Sequence, residues 1–224
     1  MIVGYGRLAK AIIEVLPNHR KVKVFSRSKK KVLEMLKDNR KASWISPSDF
    51  SKEKDVWLML PADEIPKFLD NYRHLLHPRA TIYYCATKGK AKEIIHKVYD
   101  NQKVVPVKFI TEANQLIIDK KGIAAIPETY KEHISIVEEW FERSIEIVIA
   151  SEEDVFLLNK AATQKAIELV FTFKKDMLQI GLSEKLIEHA IRQIVPGVIQ
   201  SYYNGMLGGF GQQVMNEKEN EDES

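Results

Sequence analysis

Three groups of residues in this 224-residue chain have types and spacings suited to chemistry. The first is Gly4-Tyr5-Gly6-Arg7-Leu8-Ala9, which follows the apolar Met1-Ile2-Val3. Gly4 suits a tight turn out of a strand, Gly6 lets backbone approach a pyrophosphate, and the small Ala9 lets a helix pack closely on that strand. Phosphates would sit on the helix N-terminus, where free amides and the macrodipole favour negative charge. An ordinary strand-to-helix turn is the other reading of the same residues. The second group is Ser26-Arg27-Ser28, about twenty residues beyond Gly6, where a nucleotide-binding fold meets the adenosine ribose. No acid stands there to accept a ribose 2′-hydroxyl. Two hydroxyls, a guanidinium and the lysines that follow favour a 2′-phosphate, which predicts NADP over NAD. Ser26 also suits the cap of the next helix, and the two roles are compatible. The third group is Lys160, Thr163 and Gln164, spaced i, i+3, i+4, which puts an ammonium, a hydroxyl and an amide on one helix face. Hydride transfer asks a protein to hold a nicotinamide against the acceptor carbon and to stabilise the charge that changes there. Lys160 is the candidate for the second task, with Lys108 behind it; a solvated face of a lysine-rich helix is the alternative for Lys160.

The elements around these groups must position them. Ala9, Ile12, Ile13 and Leu16 recur at i, i+3, i+4, i+7, giving the first helix one apolar face to lay on a sheet. Lys21 to Phe25 reads as a strand, Lys29 to Asp38 as a helix, and Ala42 to Ile45 as a short strand. Asp55 to Leu60 is an apolar run of the buried parallel kind, ending at Pro61. Helix from Asp63 to Leu76, strand from Thr81 to Cys85, a turn at Ala86-Thr87-Lys88-Gly89, helix around Ile94, Ile95 and Val98, and strand from Val104 to Ile110 follow. This alternation predicts an α/β fold with a doubly wound, mostly parallel Rossmann sheet. The turns after Val3, Phe25, Leu60 and Cys85 then share its C-terminal edge, where such folds bind ligands, so Leu60, Pro61, Ala86, Thr87 and Lys88 join the candidate cofactor contacts. Gln115 to Ile118, Gly122 to Ile126 and Ile145 to Ile149 read as strands extending the sheet. From Ser151 the pattern is helical, with a restart at Gly181-Leu182-Ser183 and a kink expected at Pro196-Gly197. The predicted organisation is a Rossmann-type domain over 1–150, a smaller all-helical domain over 151–214 and an acidic disordered tail over 215–224. Two helices apolar on more than one face predict a homodimer through the C-terminal helices.

Composition narrows the classes. The chain is 45% hydrophobic and 29% charged, with a formal charge of +3. Five acids against one lysine in the last nine residues leave the body more basic than that total. Lys29-Lys30-Lys31 is too short a basic run, without aromatic partners, to argue for a nucleic acid. The single cysteine, Cys85, rules out a disulfide within one chain, and the histidines lack metal-ligand spacing, so no metal is expected. No apolar run approaches a membrane span and no signal peptide opens the chain, which predicts a cytoplasmic protein off the membrane.

The order of elements resembles the pyrroline-5-carboxylate reductase family. The resemblance rests on Gly4 to Ala9, on Ser26-Arg27-Ser28 where the family often has an Asn-Arg-Ser cofactor loop, and on the strand ending at Pro61. It rests also on Ala86-Thr87-Lys88-Gly89 near the family's Ala-Ala-Gly turn, and on Gly181-Leu182-Ser183-Glu184 with the helix after it. Leu60-Pro61 and the Ala-Thr-Lys-Gly turn are equally similar to glycerol-3-phosphate dehydrogenases. The chain departs from the family where substrate binds. Asn159 to Gln164 replaces the Ser-Gly-Ser-Gly-Pro-Ala helix start, and Pro106 to Ile110 replaces the Arg-Val-Met-Pro-Asn strand end. The face carrying Lys160 and Thr163 is instead similar to the lysine-and-asparagine face of hydroxyacid dehydrogenases, with glutamine for asparagine. The resemblance implies an NADP-dependent oxidoreductase acting on a small-molecule substrate, an imine or carbonyl acid. A catalytically degenerate NADP-binding sensor or interaction protein is the alternative.

Overall fold

The computed structural model describes residues 1–222, and the described chain divides into two compact units, Met1–Ala161 and a helical unit from Ala162 onward. In the first unit β1 (Ile2–Val3) leads into α1 (Arg7–Val15), then β2 (Val22–Phe25), α2 (Lys29–Leu36) and β3 (Ala42–Trp44). After a 3-10 turn at Pro47–Lys52 come β4 (Asp55–Leu58), α3 (Glu64–Tyr72) and β5 (Thr81–Tyr84). Two short 3-10 turns, Ala91–Glu93 and Ile95–Lys97, stand where a helix around Ile94 is expected, and β6 (Lys103–Pro106) closes the series. The six strands form one parallel sheet in the order β3-β2-β1-β4-β5-β6, the strand order of a dinucleotide-binding fold.

Alternation along the strands splits the core in two. Ile2, Val24, Trp57, Tyr83 and Val105 face one layer with Ile12 and Ile13 of α1 and Val32 and Leu36 of α2. Val3, Phe25, Leu58, Ile82 and Tyr84 face the other, with Phe50 and with Ile65, Phe68 and Leu69 of α3. A sheet buried on both faces needs strands apolar at consecutive positions, which explains why Val56-Trp57-Leu58 reads as an unbroken apolar run. Trp57 stacks on Tyr83 with centroids 4.0 Å apart and lies 4.4 Å from the ring of Trp140.

The expected strand from Val104 to Ile110 is broken after Pro106, which pairs with Tyr84 as the last register position of β6. The chain resumes as β7 (Lys108–Ile110) in a different sheet. The segment expected as a strand at Gln115–Ile118 is instead helix α4 (Ala113–Asp119). Glu112 caps it, its carboxylate accepting from the amides of Asn114 and Gln115, and Lys120 closes it in the left-handed conformation. Only Leu116 of the apolar run Leu116-Ile117-Ile118 is buried, a helical rather than a strand pattern. Next come β8 (Gly122–Ile126), a 3-10 turn, α5 (Ile134–Phe141) and β9 (Ile145–Ile149). Strands β7-β8-β9 form a separate three-stranded sheet, with β7 antiparallel and β9 parallel to β8, and do not extend the first.

Helix α6 (Glu152–Gln179) begins in the first unit, which ends at Ala161. Val155 is buried and the Asn159 amide donates to the Phe109 carbonyl at 2.9 Å, so the opening turns of α6 belong with the sheet layers and the division falls beyond residue 150. In the second unit α6 continues to Gln179, followed by α7 (Glu184–Tyr203), which runs unbroken through Pro196, and α8 (Gly209–Asp222). The segment expected as a disordered tail is helical as far as Asp222; its last two residues, Glu223 and Ser224, lie outside the described residues. Ile194, Ile199, Tyr202, Tyr203 and Phe210 are exposed in this unit. Among the described residues no helix is long and apolar enough to cross a membrane, and no group of three or more His, Cys, Asp and Glu side chains is placed to hold a metal.

Candidate functional site at the sheet edge

Two adjoining cavities of about 390 and 1070 Å³ lie along the C-terminal edge of the six-stranded sheet and share Gly6, Met59, Leu60 and Pro61 in their walls. The turn between β1 and α1 forms their common floor. Gly4 has φ +101°, and a β-carbon there would come within 2.3 Å of the Met59 carbonyl oxygen. The fold itself therefore demands glycine at this position. Gly6 is different: a β-carbon on it would meet no atom within 4 Å. It would project into the cleft, so the space kept open lies on the ligand side. Gly6 is also the N-cap of α1, with no side-chain cap and no acid in the first turn. The first amides of α1 are thus free of side-chain partners, an anion-ready helix start.

The smaller cavity reaches from this turn to the end of β2. Gly4, Tyr5, Ser26, Arg27 and Ser28 line it, with Lys10, Lys31, Glu64 and Lys67. The Arg27 guanidinium, 74% exposed, pairs with Glu64 at 2.7 Å, and Lys67 donates to the other oxygen of that carboxylate at 2.7 Å. The bond from Lys67, aided by the Arg27 charge, holds the Glu64 carboxyl below its ordinary range.

The larger cavity carries Arg7, Leu8, Ala86, Thr87 and Lys88, together with Glu93, Phe109, Glu112, Glu152 and Phe156. Beneath its wall lies a buried ion pair. Lys108, 1% exposed, lies 3.1 Å from a Glu152 oxygen, and Glu152 is itself 14% exposed. The ammonium also donates to the carbonyls of Ala86 and Gly89 and sits 4.1 Å from the centroid of the Tyr84 ring. Glu152 accepts from the Ala91 amide with both oxygens. Burial lowers the Lys108 pKa, and Glu152 opposes that shift. Burial, with help from Glu93 and Glu152, pushes the Tyr84 phenol up to about 12. Together Lys108 and Glu152 tie the loop after β5 to β7 and to the first turn of α6.

The residues expected to touch a cofactor therefore all line this cleft: Gly4, Tyr5, Gly6, Arg7, Leu8, Ser26, Arg27, Ser28, Leu60, Pro61, Ala86, Thr87 and Lys88. Lys160 and Thr163 are not in its walls; Lys160 is exposed on α6, and Thr163 is exposed in the second unit. Lys108 is committed to the loop beneath the cleft rather than open to it. Glu64 and Glu152 escape sequence reading because each resembles an ordinary acid in the first turn of a helix, the position that the helix dipole favours for carboxylates anyway.

The residues present fit a dinucleotide. The floor offers a helix start and a vacant β-carbon position, one end offers cations, and the other widens into a larger chamber. What the arrangement defines is a Rossmann-type domain followed by helices. No protein-family model matches the chain, and no curated protein matches it by sequence. Solved structures do share its fold. A pyrroline-5-carboxylate reductase from Coxiella burnetii matches with a TM-score of 0.71 at 15% identity, over 96% of this chain and 82% of that one. The pyrroline carboxylate reductase of Plasmodium falciparum, solved with NADP bound, matches at 0.64 and 15% identity over the same shares. An imine reductase variant from Myxococcus stipitatus in complex with NAD+ matches at 0.55 and 10% identity, over 91% of this chain and 76% of that one. The chain shares the fold of these reductases at 10–15% identity.

Proposed function

We propose that this chain is an NADP-dependent oxidoreductase that moves a hydride between NADPH and a small imine or carbonyl acid. The observation that carries this reading is the open space at Gly6, over an uncapped helix start and between two chambers lined by all the expected contact residues. Gly4, Gly6 and the first amides of α1 would hold the pyrophosphate; Ser26, Arg27 and Ser28 would hold the adenosine end. The bound nicotinamide supplies the hydride. This chain's residues bind and orient: Leu60 and Pro61 wall both chambers, Ala86 and Thr87 form the rim of the larger, and the Lys108–Glu152 pair keeps that rim in place. Arg27→Ala is expected to weaken NADPH binding at least about tenfold, the order of a charge-assisted contact to phosphate, and NADH binding much less. Equal losses for both cofactors, measured by calorimetric titration, would remove the 2′-phosphate assignment.

Lys160 and Thr163 remain the proposed polar face for substrate, within a homodimer formed through the C-terminal helices, whose exposed Tyr203 and Phe210 support self-association. The second reading, a nucleotide-binding sensor without turnover, draws on the position of Lys160 outside the walls of the cleft. Lys160→Ala decides between them. Loss of turnover with pyrroline-5-carboxylate at unchanged NADPH affinity supports the enzyme, whereas a wild-type protein that binds NADPH and turns over no imine or carbonyl acid supports the sensor.

A further inference from the structure

The cationic end of the cleft carries a charge balance that its sequence motif does not reveal. Lys10, Arg27, Lys31 and Lys67 line the smaller cavity, and Glu64 is the one acid among the described residues in its walls. Glu64 reaches in from the first turn of α3, across from the loop after β2. One of its oxygens takes Arg27 at 2.7 Å and the other takes Lys67 at 2.7 Å. Two of the four cations are thus answered by the protein's own carboxylate. That carboxylate is 21% exposed and sits against the guanidinium a ribose 2′-phosphate would need. A phosphate arriving at Arg27 must displace Glu64 or stand beside it, and like charges at that distance repel. A 2′-hydroxyl, being neutral, meets no such opposition and finds an acceptor in the same carboxylate.

We infer that Glu64 is a specificity-determining residue: by holding Arg27 and Lys67 it narrows the discrimination between phosphorylated and unphosphorylated nicotinamide cofactors. The inference rests on the cofactor reading above and concerns how strongly the site prefers NADPH. A neutral amide at position 64 releases both cations to the phosphate and leaves the fold untouched, because Glu64 is a helix-surface residue whose partners are exposed.

The test is calorimetric titration of wild type, Glu64→Gln, Arg27→Met and the double variant with NADPH and with NADH. Glu64→Gln is expected to tighten NADPH at least about threefold, the scale of one partly exposed ion pair, and to leave NADH unchanged or weaker. The gain should vanish in the Arg27→Met background, as a double-mutant cycle requires if the two residues act on one another. Equal changes for both cofactors, or weaker NADPH binding because Glu64 serves to orient Arg27, would overturn the inference while leaving the cofactor reading intact. A gain that persists in full without Arg27 would overturn it as well. A wild-type protein that binds neither NADPH nor NADH would remove the cofactor reading, and the inference with it.

Discussion

The two units of this chain treat their interiors in opposite ways. In the sheet unit even a lysine is buried, and its ammonium is answered by two carbonyls and a carboxylate. In the helical unit the side chains left over are apolar: Val198, Tyr202, Tyr203, Phe210 and Val214 line a groove open to water. The difference separates a layer that is complete by itself from helices whose apolar positions exceed what one copy buries. A polar group satisfied internally marks the first kind, and a contiguous exposed apolar face marks the second.

Perturbing the buried pair should give the largest effect. Lys108→Met leaves the mostly buried Glu152 without its cation and should lower unfolding stability by about 3 kcal/mol in urea titrations. A loss under about 1 kcal/mol would mean that the pair is solvated and the contrast between the units overstated. On the helical side, Tyr203→Glu combined with Phe210→Glu should weaken self-association by about 2 kcal/mol or more, read by sedimentation over a dilution series. Identical monomeric behaviour of wild type and variant would show that one copy suffices. Gly6→Ala sharpens the comparison from within the sheet unit: thermal stability is expected to stay within about 0.5 kcal/mol of wild type, as for substitutions that disturb no packing, while NADPH affinity falls at least about tenfold. A destabilised Gly6→Ala protein with normal affinity would return that turn to a structural role. The smallest change is chemical. Burial pushes the Cys85 thiol well up against the opposing charge of Lys108, so at pH 8 the folded protein should label with a thiol reagent far more slowly than the urea-unfolded protein. Rapid labelling of the native state would show that the wall behind Ala86 opens readily.

Much of the sheet unit was legible from residues alone because its signals are local. The turn after β1 has a glycine that the backbone requires, and strands buried on both faces are apolar without interruption. The misread segments lack such signals. Leu116-Ile117-Ile118 is too short for its period to decide, and the cap that makes it helical, Glu112, lies outside the apolar run. The break after Pro106 depends on which sheet the next strand joins, a tertiary choice with no counterpart in composition. The residues of the cleft walls expected from the β-to-α turns were readable as motifs, whereas Glu64 and the Lys108–Glu152 pair join residues far apart in sequence. A single sequence carries no sign of such pairings.

The placement of the aromatic residues has an optical consequence. Trp44, Trp57 and Trp140, the three tryptophans of the chain, all belong to the sheet unit. Trp57 and Trp140 share a cluster with Tyr83, and Trp44 faces the Lys29 ammonium at 4.4 Å beside the end of β3. Tryptophan emission is therefore a private channel for one unit, whereas the helical circular dichroism signal draws about equally on both. Followed together through a melt, the two spectra would tell whether the layers and the helices let go at one temperature or at two.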